Sequence, residues 1–78
     1  MAKLIFNNDI FFHNLALLRT KYYLSRRALG KLSGLSPLWI KQMEAGTWRH
    51  DLDMEIILRI SQIFQVNIQT LLTEKLSK

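Results

Sequence analysis

Cysteine is absent from this 78-residue chain, which removes disulfides and every thiolate metal site from consideration. Proline occurs once, at Pro37, and glycine three times, at Gly30, Gly34 and Gly46. All four lie in the middle third, a sparse punctuation that favours short helices joined by tight turns over a sheet. The two histidines, His13 and His50, stand far apart without evident co-ligands, so no metal is expected. No run approaches the roughly 20 apolar residues that cross a bilayer. The opening apolar run, Leu4-Ile5-Phe6, is too short for a secretory signal, and a single cytoplasmic domain is expected.

Acids are also few, six against eleven lysines and arginines, and the net charge is +5. Their placement says more than the total. Between Arg19 and Arg49 stand Arg19, Lys21, Arg26, Arg27, Lys31, Lys41 and Arg49, opposed by Glu44 alone, a net of +6. The remainder carries four cations and five acids, a net of −1. One basic segment in an otherwise balanced chain fits a polyphosphate partner, because each neutralised phosphate releases condensed counterions. A basic membrane-surface helix would concentrate its cations on one helix with an apolar face; here they spread over three expected helices and a loop.

No nucleophile with a base, no paired catalytic carboxylates and no cofactor motif stand out. Asp51, Asp53 and Glu55 cluster, but at an expected helix start, where acids stabilise the dipole. The sequence therefore reads as a binding protein, with no enzyme activity and no cofactor expected.

Periodicity divides the chain into five helices. The first starts at Asn8 or Asp9 and carries Ile10, Phe11, Leu15, Leu18 and Tyr22 at helical spacing. Ser25 caps the second, which presents Ala28, Leu29 and Leu32 and ends at Gly34. Ser36 caps the third, with Pro37 at the first helical position and Ile40 and Met43 inward, and Gly46 ends it. After the loop Thr47-Trp48-Arg49-His50, Asp51 or Asp53 caps a fourth helix burying Ile56, Ile57, Ile60, Ile63 and Phe64. Asn67 caps a short fifth helix with Ile68, Leu71 and Leu72. Gly30, inside the second helix, costs roughly 1 kcal/mol relative to alanine; a second backbone passing close by accounts for it.

The run Leu24-Ser25-Arg26-Arg27-Ala28-Leu29-Gly30-Lys31-Leu32-Ser33-Gly34-Leu35-Ser36-Pro37-Leu38-Trp39-Ile40-Lys41-Gln42-Met43-Glu44-Ala45-Gly46 resembles the signature of XRE-type, phage lambda-repressor-like DNA-binding proteins. Leu15-x-x-Leu18-Arg19 upstream is similar to the family's first helix. Leu58-x-Ile60-x-x-x-Phe64-x-Val66-Asn67-x-x-x-Leu71-Leu72 downstream is similar to its last two. The resemblance spans about residues 10–72. It implies an all-α, compact five-helix domain with a helix-turn-helix at 9–73, an N-terminal arm at 1–8 and a C-terminal tail at 74–78.

The resemblance further implies sequence-specific binding of double-stranded DNA by a transcriptional regulator, a repressor, with helix 36–45 in the major groove. Its implied contact set is Arg26, Arg27, Ser36, Pro37, Leu38, Trp39, Lys41, Gln42, Thr47 and Arg49. Arg26 would reach a phosphate from the start of helix two. Pro37, Leu38, Lys41 and Gln42 would meet base edges, Gln42 suiting adenine and Lys41 guanine or a phosphate. Thr47, Trp48 and Arg49 lie where the family meets the far backbone; Trp48 either touches a sugar or packs over the core edge. Arg19 is expected to pair with Glu44, while Lys31, His13 and His50 are expected at the surface or its boundary.

Three departures matter. Tyr23 replaces a frequent glycine between the first two helices. Ser33 stands at a normally apolar position, with Leu32 expected to take over its packing. The loop before helix four is about two residues longer. The Pro37-Leu38-Trp39 start of helix three is also unusually apolar, which leaves a second reading open: an interaction module, antitoxin-like or a small phage regulator, that binds a protein through Leu38 and Trp39. A homodimer is expected, with candidate surfaces at Leu4-Ile5-Phe6 and at Ile68, Leu71, Leu72 and Leu76.

Overall fold

The computed structural model describes residues 8–48 and 52–77. Within them the chain forms α1 (Asn8–Lys21), α2 (Arg26–Ser33), α3 (Pro37–Glu44), α4 (Met54–Phe64) and α5 (Ile68–Thr73), with no strand. The starts of α2, α3, α4 and α5 each have a local cause. Ser25 Oγ accepts from the Ala28 N–H, Ser36 Oγ from Leu38 and Trp39, Asp53 Oδ1 from Glu55 and Asn67 Oδ1 from Gln69. Every one of these caps satisfies an amide that the helix itself leaves open.

The ends follow a second local rule. Three helices close with the paired backbone bonds that place the next residue in the left-handed region. At α1, Leu24 N–H donates to Arg19 O and Tyr23 N–H to Thr20 O; at α3, Thr47 donates to Gln42 O and Gly46 to Met43 O; at α4, Val66 donates to Ser61 O and Gln65 to Gln62 O. The left-handed residues are Tyr23 (φ 58°), Gly46 (φ 73°) and Gln65 (φ 54°), and Gly34 (φ 79°) closes α2 through a single bond to Gly30 O. Glycine thus occupies two of these four positions, and side-chain-bearing residues the other two.

α1 packs against α3 and α5, α2 against α3 and α4, and α4 against α5. The shared core is Phe11, Phe12, Leu15, Leu18, Leu29, Leu35, Ile40, Met43, Trp48, Ile57, Ile60, Phe64, Leu71 and Leu72. Burying side chains of this size contributes about 1.5–3 kcal/mol each, which carries a fourth helix whose adjacent Ile56 and Ile57 favour it little on propensity alone. Phe12 belongs to this core without having stood in the expected stripe. Tyr22, expected in that stripe, lies beyond the helix and is half exposed; its ring stacks on Phe64 with centroids 5.7 Å apart.

The expectation for α2 is corrected. Leu32 is 58% exposed, whereas Ser33 is 2% exposed. Ser33 serves the turn: its hydroxyl donates to Leu29 O at 2.8 Å and accepts the Leu35 N–H at 3.3 Å. A buried amide without a partner costs about 1–3 kcal/mol, so a hydroxyl there outweighs another leucine. Gly30 has the cause inferred for it. A Cβ at this position would lie 2.6 Å from the Leu35 carbonyl oxygen and 3.6 Å from Pro37 Cδ.

Residues 74–77 turn back over α1. The buried Asn14 amide donates to Leu71 O (2.9 Å) and Glu74 O (2.8 Å), while its oxygen accepts the Leu76 N–H at 2.8 Å. His13 Nε2 meets Leu76 O at 2.9 Å. With Leu71 and Leu72 buried and Ile68 and Leu76 packed against the core, the C-terminal apolar residues complete this chain's own interior. The N-terminal candidates, Leu4-Ile5-Phe6, lie outside the described residues.

Candidate nucleic-acid interface

α3 buries Ile40 and Met43 and turns the other side to solvent. Leu38, Lys41, Gln42 and Ala45 recur at spacings of three and four and share that outer side. Leu38 is 59% exposed, Lys41 and Ala45 are exposed, and Gln42 is half-buried. Ser36 and Pro37 form its exposed front, and the Ser36 hydroxyl is held at the helix start by its two capping bonds. Trp39, 43% exposed, leans to one side and meets Trp48 edge-on, centroids 4.9 Å apart and planes at 62°. Trp48 is buried. Of its two expected placements it takes the core edge, where it braces Trp39.

The loop after α3 is tied to the helix. Thr47 N–H and hydroxyl both donate to Gln42 O, at 2.9 and 3.3 Å, so Thr47 stays exposed beside the last turn. Arg49 lies outside the described residues, as do His50 and Asp51.

Glu44 organises the cationic side. Its carboxylate is nearly buried and receives Arg19 Nε at 2.5 Å and Nη2 at 3.0 Å, the two-pronged geometry that suits a guanidinium. Arg19 Nη1 also donates to Leu24 O at 2.8 Å. One side chain therefore joins the end of α1, the corner before α2 and the end of α3. The expected Arg19–Glu44 pair is present. Arg26 reaches the same carboxylate, with Nη2 at 3.1 Å and Nε at 3.2 Å from Oε1. Arg26 is thus an expected contact residue already engaged in the fold by an ion pair, and its side chain remains 43% exposed.

With two arginines on Glu44, this small cluster stays positive, and Lys21, Arg27, Lys31 and Lys41 of the same basic segment are all exposed. The arrangement offers a convex helix face with one amide side chain and one lysine, an apolar front, and cations on the neighbouring elements. Such a surface can enter a groove and neutralise phosphates at its rims.

One participant carried no signal in the sequence. Arg59 Nη1 donates to Ser33 O at 3.2 Å and closes the end of α2 across the molecule, while Nη2 pairs with Glu55 at 2.7 Å. The Lys21–Tyr23 corner, shortly before Arg26 and Arg27 in the chain, was visible only as a tyrosine at a position favouring glycine. Among the described residues no group of acidic, histidine or cysteine side chains is placed to hold a metal, and no helix is long and apolar enough to cross a membrane.

No protein-family model matches the chain, and no curated protein or solved structure shows significant similarity to it.

Proposed function

We propose that this protein binds double-stranded DNA as a helix-turn-helix module of the lambda-repressor-like type, with α2 across the backbone and α3 in the major groove. The observation that carries the reading is the combination on α2 and α3: a Gly30-to-Leu35 close approach that fixes the two helices, and an outer face of α3 presenting Lys41 and Gln42 between exposed cations. Arg27, Arg26 and Thr47 position the backbone, Lys41 and Gln42 read base edges, and Leu38 meets thymine methyl groups or sugars. The proposed role is that of a transcriptional repressor acting as a homodimer on paired half-sites. We read it as a binding protein without catalysis.

Exposed Leu38 and Trp39 favour one alternative, a protein partner docked on the same face. A single experiment separates the two. The protein is titrated into a fluorescent mixed-sequence duplex at about 50 and about 200 mM salt, beside an Arg27→Ala/Lys41→Ala/Gln42→Ala variant. None of these side chains has a bond in the packing of the helices, so helicity should be unchanged. Binding that weakens by orders of magnitude with salt and collapses in the folded variant supports DNA. No binding at low salt sinks it and leaves the Leu38–Trp39 face as bait for a protein.

A further inference from the structure

Tyr23 is the least protected aromatic side chain among the described residues, 95% exposed, and it sits at φ 58°. Both facts run against folding. The left-handed region crowds Cβ against the neighbouring carbonyl, which is why glycine dominates helix ends of this kind. A solvated ring recovers nothing by burial. The adjacent Tyr22 does the opposite, its ring laid on Phe64. The corner is nonetheless well fixed: Tyr23 N–H and Leu24 N–H close α1, and Arg19 holds Leu24 O. A fixed backbone therefore holds out one aromatic side chain, flanked in the chain by exposed Lys21 before it and exposed Arg26 and Arg27 after it.

We propose that Tyr23 contacts the phosphodiester backbone of the bound duplex, its hydroxyl donating to a phosphate oxygen and its ring lying against the adjoining sugar, with Lys21 and Arg27 beside it. Charge complementarity selects this partner. The only carboxylate in the segment from Arg19 to Trp48 is Glu44, already paired to Arg19 and Arg26, and tyrosine is a regular donor to DNA phosphates. The assignment rests on the reading of α3 as the groove-binding helix and extends the footprint to the α1–α2 corner.

Gln65 supplies the control. It closes α4 with the same pair of backbone bonds at φ 54° and is also exposed, but no cation adjoins it in the chain. The experiment measures thermal midpoint and duplex affinity for the unmodified protein, Tyr23→Gly, Tyr23→Asn and Gln65→Gly. Both glycine variants should melt a few degrees higher as the left-handed position is relieved; asparagine, tolerant of that region, should fold at least as well as tyrosine. Affinity should divide them: Tyr23→Gly and Tyr23→Asn bind about 5-fold more weakly or worse, on the order expected for one lost charge-assisted bond at an exposed site, and Gln65→Gly binds unchanged. If the unmodified protein binds and both Tyr23 variants match it, Tyr23 is a tolerated strain and the contact is overturned. If the unmodified protein binds no duplex, the reading of α3 falls and takes this assignment with it.

Discussion

At Gly30 two opposing effects can be weighed directly. Alanine gains about 1 kcal/mol over glycine inside a helix, so on propensity Gly30→Ala should stabilise. The added methyl would meet the Leu35 carbonyl oxygen at 2.6 Å, and that oxygen belongs to backbone that cannot rotate away. Forcing the two helices apart costs typically 1–3 kcal/mol, as overpacking does elsewhere. The clash wins: Gly30→Ala should lower stability by about 1 kcal/mol, a fall of several degrees in Tm for a domain of this size, read by circular dichroism melting. An unchanged or raised Tm would mean that the α2–α3 approach is looser than described. Asn14 makes a similar case with polarity in place of size. Its three bonds to Leu71, Glu74 and Leu76 leave an isosteric leucine no way to serve those backbone groups, and water can reach only some of them. Asn14→Leu should cost about 2 kcal/mol, with hydrogen exchange rising first at residues 71–76. Uniform exchange in a destabilised variant would count against Asn14 as the clamp of that segment.

Among elements, the starts were more legible than the orientations. Ser25, Ser36 and Asn67 announce helices through a side chain acting within three residues, and the structure uses each of them as read. The fourth cap was narrowed to two aspartates, of which Asp53 acts. The rotation of α2 was not legible because its cause is not local. Ser33 turns inward to serve Leu35 N–H, and its carbonyl is met by Arg59 from α4. Periodicity sees only that Leu32 is more apolar. Asn14 and Arg59 were missed for the same reason: each acts on backbone groups far away in sequence. The Arg19–Glu44–Arg26 cluster is where the elements are most tightly joined, and it sets the stability of the interface against its charge. Glu44→Gln leaves Arg19, little exposed, beside a neutral amide, which should destabilise by roughly 1–3 kcal/mol, below the range for fully buried pairs because Arg26 is solvated. The same change frees Arg26 and adds one positive charge, so affinity for mixed-sequence duplex at low salt should rise even as Tm falls. Loss of affinity in a variant still folded at the assay temperature would show that Glu44 matters for the placement of α3 more than for its charge.

For the molecule as a whole, the candidate site was legible wherever it rested on chain order and obscure wherever it rested on packing. Lys41 and Gln42 share the outer face of α3 because helical spacing puts them there. Whether Trp48 would join that face depended on the space left at the core edge, and it was drawn inside. The basic segment survives folding as an exposed charge, because its one acid is held by two arginines and Lys21, Arg27, Lys31 and Lys41 remain at the surface. That permits an estimate of scale. With each neutralised phosphate contributing about −0.9 to the slope of log K against log salt, a copy engaging about four phosphates should show a slope near −4, a loss on the order of 10²-fold between 50 and 200 mM. Two copies on half-sites one turn apart double the contacts, and the slope should approach −8. The proposed homodimer therefore predicts a slope near −4 on a short duplex that admits one copy and near −8 on a selected site that admits two. Equal slopes on both would refute paired binding while leaving the interface intact. A slope near zero on both would refute the interface itself, because no surface with this charge can bind duplex DNA without displacing its counterions.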